Sequence, residues 1–176
     1  IATVSITVTQ VNDAPLAAAQ AVSTSEDTAL SMTLTGTDVD GDALTYTIAT
    51  SPSHGVVTGL PPNITYTPAS NYYGPDSFTF TVSDGSLTSA PATVSITVNA
   101  LADAPIANPQ SVTTAEDTAM PITLAGTSVD GNAIASYTIV SGPAHGSLSG
   151  TGAGITYTPS TDYHGADVLT FKVSDG

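Results

Sequence analysis

The sequence predicts an all-β chain built from tandem antiparallel sandwiches, and three observations predict it. First, apolar and polar residues alternate. "FTFTV" sets Phe78, Phe80 and Val82 against Thr79 and Thr81, and "VSITV" does the same with Val94, Ile96 and Val98. A period of two marks a strand with one buried face. Second, "SPSHG", "LPPN", "YYGPD" and "SDG" place turn-forming residues between these runs, and no helical period extends beyond a turn. Third, the pattern recurs. "ATVSITV" starts at Ala2 and Ala92, and "EDTA" at Glu26 and Glu116, both 90 apart. "ITYTP" starts at Ile64 and Ile155, and "VSDG" at Val82 and Val173, both 91 apart after one insertion near Ser136.

Taken in order, residues 1–10 read as the closing strand of a preceding repeat, because "ATVSITV" closes the repeat that follows. Residues 11–100 form a first repeat and residues 101–176 a second that lacks its closing strand. Two explanations stay open. The chain is a window on a longer array, or its first strand is donated to the last repeat of a neighbouring copy. About seven short strands in 90 residues fit a sandwich of immunoglobulin type. "NDAP" at residues 12–15 and "ADAP" at residues 102–105 are the linkers.

Composition narrows the function. Asp and Glu total 15 against one cation, Lys172, for a net charge of −14. Nucleic acid is excluded as a partner because too little positive charge meets phosphate. An anionic membrane surface is excluded on the same ground, and no apolar run approaches the roughly 20 residues of a spanning helix. A hydrophobic share of 40% is too high for a disordered acidic tail and sufficient for modest cores. With no cysteine, neither a disulfide nor a thiolate-bound zinc forms.

The feature that calls for chemistry is "TDVDGD". Asp38, Asp40 and Asp42 alternate just before a strand. Two like charges 4 Å apart repel by about 1 kcal/mol in water, and by more in a drier place. A solvated turn is the bland reading, since Asp and Gly favour turns. A hard cation is the functional one: Ca²⁺ takes six to eight oxygens, and alternating carboxylates aim several at one point. An EF-hand is ruled out, because its glycine and glutamate positions fall on Ala43 and Ala49.

In order along the chain stand "VNDAP", "SED", "TDVDGD" before a strand containing "YTI", then "FTFTVSDG" and "ATVSITV". This series resembles the cadherin repeat, and most closely the cadherin-like, bacterial immunoglobulin-like repeats of large bacterial surface proteins and adhesins. The resemblance covers essentially the whole chain. It implies Ca²⁺ at the junctions between repeats, in an extracellular spacer or stalk serving cell adhesion. At the first junction the implied ligands are Asn12 and Asp13 of the linker, Asp38, Asp40 and Asp84, with Asp42 beside them. At the second they are Glu26, Asp103, Asp130 and Asp175, with Asn132 at the position of Asp42 and Asp76 assigned to the late acidic position. Ser128 replaces Asp38, Asn132 replaces Asp42 and Ala102 replaces Asn12, so the second site is expected to bind more weakly.

The partners expected are neighbouring repeats of the chain, or copies of itself joined into a filament by strand complementation. The alternative function is a module that binds a glycan or a surface protein, with Tyr72 and Tyr73 in a turn as the sugar-stacking residues. Tyr46 and Tyr66 recur at Tyr137 and Tyr157 and read as core. His54 and His145 occupy equivalent turns and read as local hydrogen-bonding residues. No nucleophile elbow or other catalytic signature occurs, and no enzymatic activity is expected. Lys172 aligns with Thr81, so an isopeptide bond is not built into each repeat.

Overall fold

The computed structural model describes residues 2–176, which divide into two compact units, the first ending at Leu101 and the second running from Ala102 to Gly176. The first unit contains β1 (Leu16–Ala17), β2 (Gln20–Ser25), β3 (Leu30–Thr33), β4 (Gly36–Thr37), β5 (Thr45–Thr50), β6 (Gly55–Leu60), β7 (Asn63–Pro68), β8 (Gly74–Ser83) and β9 (Ala92–Asn99). Four strands pair in the order β2-β9-β8-β5, three in the order β3-β7-β6, and β1 pairs with β4. Side chains from both sheets meet in one core: Ile64 and Tyr66 from β7, Phe78, Phe80 and Val82 from β8, and Val94, Ile96 and Val98 from β9. The alternation read from "FTFTV" and "VSITV" therefore lies on the faces expected. Along β9 every second residue is buried.

One pairing departs from a purely antiparallel plan. β2 and β9 run parallel, from Gln20 opposite Val94 to Ser25 opposite Asn99. β9 is thus paired on both sides, with β8 antiparallel to it from Phe80 opposite Ala92 to Gly74 opposite Val98. Period-two alternation gives the face of a strand but says nothing of its direction, so this pairing is not encoded locally.

The second unit contains β10 (Ile106–Asn108), β11 (Met120–Thr123), β12 (Ala125–Thr127), β13 (Ser136–Ser141), β14 (Gly146–Thr151), β15 (Gly154–Pro159) and β16 (Thr170–Ser174). Its sheets are β11-β15-β14, β13-β16 and β10-β12. The register repeats that of the first unit: Tyr137 lies opposite Val173 as Tyr46 lies opposite Val82. Its core is smaller, with Ile122, Leu124 and Ile155 buried and Tyr137, Tyr157, Leu169 and Phe171 packed against them. Residues 2–14 carry no strand and are exposed.

Candidate metal centre

The loop between β4 and β5 turns on its own first aspartate. Asp38 Oδ1 accepts the backbone N–H of Asp40 at 2.8 Å and of Asp42 at 3.3 Å. A short carboxylate capping the amides two and four residues on is what aspartate does in a turn. Gly41 sits in the left-handed region at φ 81°, which closes the loop. The result aims three carboxylates together: one oxygen each from Asp38, Asp40 and Asp42 lies within 4.8 Å of the others.

The linker is fastened to the same loop. Gln10 Nε2 donates to Asp40 Oδ1 at 2.6 Å, and the backbone N–H of Asp13 donates to Asp40 Oδ2 at 2.7 Å. Asn12 Nδ2 donates to Asp84 Oδ2 at 2.9 Å. The other oxygen of Asp84 accepts the N–H groups of Ser86 and Leu87. The Leu87 N–H, the Asn12 amide and the Ser86 N–H together hold the Asp84 carboxyl below its usual range. So Asp38, Asp40 and Asp42 cluster, and the linker meets them through the Asp13 backbone on Asp40 and meets Asp84 through Asn12. Gln10 joins them and was not foreseen as a contact. No local pattern marks it, since its partner Asp40 lies thirty residues further on.

Two observations bear on whether this group suits a cation. Asp38 Oδ2 is buried and has no hydrogen-bond partner. A buried, unpartnered carboxylate oxygen is costly, so something of positive character is called for. The first unit has no Lys or Arg to supply it, since the sole cation, Lys172, belongs to the second. The donor set is all oxygen, the preference of a hard cation, and two oxygens bound across one Ca²⁺ at about 2.4 Å stand roughly 4.8 Å apart. The residues fit Ca²⁺.

The second unit carries a reduced version. Asp130 Oδ2 accepts the backbone N–H of Asp103 at 2.9 Å, repeating the bond from Asp13 to Asp40. Ser128, in place of Asp38, donates its hydroxyl to Asp175 Oδ2 at 2.7 Å. Asn132 is exposed. Among the described residues the only trio of carboxylates gathered this way is that of Asp38, Asp40 and Asp42.

Glu26 and Asp76, both expected at the second junction, belong to the first unit and are engaged differently. Glu26 follows β2 and is 1% exposed. Its Oε1 accepts the backbone N–H of Leu101 at 2.6 Å, while Oε2 is buried without a partner. It therefore holds the last backbone N–H of the first unit and leaves one oxygen unused. Asp76, on β8, has both oxygens occupied: the N–H groups of Ser53, His54 and Ser77 and the Tyr66 hydroxyl, the last at 2.8 Å. Asp167 repeats this with Ala144, His145, Val168 and Tyr157. The recurrence of Asp at 76 and 167 beside the "SHG" and "AHG" turns was the signal for this clamp.

Burial works to raise the carboxyl of Asp76, but the Tyr66 hydroxyl and the three N–H groups outweigh it and leave the group below its ordinary value. Burial first, and then the Asp76 carboxylate, push the Tyr66 phenol well above its own. A depressed carboxyl adds stability that is fully present above its unfolded value near 3.8 and is lost as pH falls from there through its lower folded value. The first unit is therefore expected to melt at a nearly constant temperature between about pH 7 and 5 and to weaken below about pH 4. In Asp76→Asn this acid-side slope should be shallower, as read by calorimetry across pH.

His54 is a local residue, as expected. Its ring stacks on Tyr72 at 4.1 Å, and His145 on Tyr163 at 4.2 Å. Tyr72 also donates its hydroxyl to Pro75 O. One face of the Tyr72 ring is therefore covered, while Tyr73 remains more than half exposed. Tyr66 is fully buried and Tyr46 packs on the core, as their spacing predicts.

Two immunoglobulin-type sandwiches in tandem, the first with a carboxylate cluster beside its linker, define a tandem immunoglobulin-like repeat. The chain belongs to the bacterial Ig domain family, whose pattern matches residues 12–97 and again 102–176. It is 29% identical over 206 aligned positions to integrin beta-like protein A of Dictyostelium discoideum, covering 94% of this chain and 11% of that protein. Human desmocollin-1 ectodomain shares the fold at 10% identity and a TM-score of 0.51, over 95% of this chain and 35% of that one. An endo-fucoidan hydrolase of glycoside hydrolase family 107 is 25% identical with a TM-score of 0.45, over 92% of this chain and 27% of that one. The chain thus spans a small part of the curated relative and about a third or less of these structures. Among the described residues no helix is long and apolar enough to cross a membrane.

Proposed function

We propose that these repeats are spacers in a large extracellular surface protein or adhesin, and that Ca²⁺ at the linker stiffens them. The observation that carries this reading is the buried, unpartnered Asp38 Oδ2 inside a three-carboxylate cluster that also anchors the linker. Asp38, Asp40 and Asp42 would hold the ion, with Asp84, Asp13 and Asn12 next to them. The ion supplies positive charge and removes the mutual repulsion of the carboxylates. Gln10, Asn12 and Asp13 already bond to Asp40 and Asp84, so an ion that fixes these carboxylates in place would also fix the groups on which the linker is anchored. A flexible joint becomes a fixed one, which suits a stalk that carries a distal binding domain away from a surface. Glu26, with its free oxygen beside Leu101, and Asp103, Asp130 and Asp175 are the corresponding candidates at the second linker. There Ser128 and Asn132 lower the ligand charge and should weaken binding. Asp76, with four donors on its oxygens, is left out of the ligand set.

Thermal unfolding in EGTA and in millimolar Ca²⁺ tests this. Extracellular modules bind Ca²⁺ with Kd of about 10⁻⁴–10⁻³ M. A ligand of the folded state at ten times its Kd stabilises by about 1.4 kcal/mol, and at a hundred times by about 2.7 kcal/mol. For a unit of this size the smaller figure raises Tm by roughly 6–11 °C. The rise should vanish in the double variant Asp38→Ala, Asp40→Ala and should be smaller for the second unit. No shift up to about 10 mM, ten times the weak end of that range, would overturn the reading. The exposed Tyr73 leaves glycan binding as the competing function, and retention on a glycan column lost in Tyr73→Ala would favour it.

A further inference from the structure

In the first unit β6 closes one side of the three-stranded sheet. It pairs with β7 along its whole length, and among the described residues no strand lies on its other side. In an antiparallel ladder alternate residues turn their N–H and C=O groups away from the partner, so this edge carries a row of unpaired main-chain groups. Such edges are ordinarily blunted by charge, proline or a bulge. β6 reads "GVVTGL", with neither charge nor proline, and its register with β7 runs without a shift. It is apolar on the outside as well: Val56 is 57% exposed and Leu60 86%. β5, the edge strand of the other sheet, instead turns Thr45, Thr47 and Thr50 outward. The charge of the chain also lies elsewhere, since no Asp, Glu, Lys or Arg occurs between Asp42 and Asp76.

The second unit contains the same strand with a different surface. β14 pairs with β15 in the register that β6 keeps with β7, and the two strands share one pattern of exposure. Yet β14 reads "GSLSGT", so Ser147 and Thr151 stand where Val56 and Leu60 do. The fold therefore does not require apolar side chains at these two places. Left in water they add nothing to the packing of their own unit. Apolar side chains that the fold does not need, set along an open and uncharged edge, mark a contact with another chain.

We propose that β6 is an interface with a second copy of this chain, the two β6 strands pairing antiparallel about a two-fold axis at Thr58. The occupant follows from the order of the side chains. Val56 and Leu60 stand two residues before and two after Thr58, on the same face of the strand. An antiparallel copy centred on Thr58 sets each Val56 opposite the partner's Leu60, so the strand is its own complement and no other surface has to match. The charges agree with this choice. A cationic partner is drawn to the acidic loops, whereas two copies of net charge −14 each can approach only where neither carries charge. Main-chain hydrogen bonds supply the affinity and the outward side chains the specificity. Pairing joins two three-stranded sheets, β3-β7-β6, into one of six strands. The same patch serves both copies, so the contact closes at two. This goes beyond the spacer reading, because it joins two chains through their first units, and no residue of β6 belongs to the carboxylate cluster.

Sedimentation velocity of the full chain, in EGTA and in Ca²⁺ and up to about 1 mM protein so that a weak Kd is still read, tests the proposal. The mass should rise with concentration to that of two copies and no further, in both buffers. Val56→Ser with Leu60→Thr installs the residues of β14 at two exposed positions and should leave one copy throughout. The converse pair, Ser147→Val with Thr151→Leu, gives each chain a second such edge and should turn closed pairs into open chains. The chain has no cysteine of its own, so a single Thr58→Cys reports the axis. Directly opposite residues of an antiparallel pair have Cβ atoms about 4.5–5.5 Å apart, and mild oxidation should link two copies there. Ser149→Cys, the counterpart on β14, should not link. Three results would each overturn the proposal: one copy at every concentration, association that persists in Val56→Ser, Leu60→Thr, or assemblies of the native chain larger than two. Association without a Ca²⁺-dependent melting shift would sink the cation reading alone. A melting shift without association would sink this proposal alone.

Discussion

Asp76→Ala is expected to cost the first unit about 3–5 kcal/mol, measured as a fall in its urea midpoint with the second unit as internal reference. The carboxylate is 8% exposed and accepts from Ser53 N–H, His54 N–H, Ser77 N–H and Tyr66 Oη–H. A net hydrogen bond is worth about 1 kcal/mol, and one to a charged group about 1.5–3 kcal/mol. Alanine removes all four at once and leaves a fully buried Tyr66 hydroxyl without its strongest acceptor. Its other contact, with His54 O, is 3.5 Å long. Tyr66→Phe deletes one donor only and should cost about 1–2 kcal/mol. The clamp ties the β5–β6 turn to β8, so amide exchange at Ser53 and His54 should accelerate in Asp76→Ala. The equivalent Asp167→Ala should cost less, because Asp167 is half-buried and water can replace the lost acceptor.

Gly55→Ala should destabilise the first unit by about 3 kcal/mol. A Cβ at this position would meet Tyr66 Cε2 at 2.5 Å, Tyr66 Cζ at 2.8 Å and Thr67 O at 2.7 Å. One obstacle is backbone in the β6–β7 ladder. The other is a ring that cannot swing aside, since it is fully buried and its hydroxyl is held by Asp76. The strand must therefore move, and the ladder from Gly55 opposite Pro68 to Leu60 opposite Asn63 moves with it. Gly146 stands in the same relation to Tyr157, so Gly146→Ala should act on the second unit. Gly142→Ala is the control. Nothing lies within 4 Å of its Cβ and its φ is ordinary, so the change should be neutral or stabilise by a few tenths to about 1 kcal/mol. Equal losses at Gly55 and Gly142 would mean that steric contact is not the cause.

The core of both units was legible because it rests on local rules. Phe78, Phe80, Val82, Val94, Ile96 and Val98 were assigned to one face by period alone, and all six are buried. The candidate site was legible in part. "TDVDGD" and "VNDAP" gave the residues that meet at the first linker, because an aspartate turn and a short linker are also local features. Gln10 escaped, since a side-chain amide donating to Asp40 thirty residues on leaves no pattern in the sequence. Asp76 was read as a candidate ligand because it is acidic and late in the repeat. Its four donors come from residues 1 to 23 positions away, brought round it by the pairing of β5 with β8 and β6 with β7.

By itself the sequence determined the repeat, the buried face of each strand, the linkers and the excess of negative charge. Each follows from side-chain chemistry at fixed short spacing, where backbone geometry leaves few choices. Tertiary structure decided the rest. It set β2 parallel to β9 across some 74 residues, left one oxygen each of Asp38 and Glu26 buried without a partner, and turned Asp76 into a clamp. The same sequence, "ATVSITV", is a buried strand at residues 92–98 and an exposed segment at residues 2–8. The physical reason is that a strand gains its stability from the edges and the core it meets, and those lie far from it along the chain.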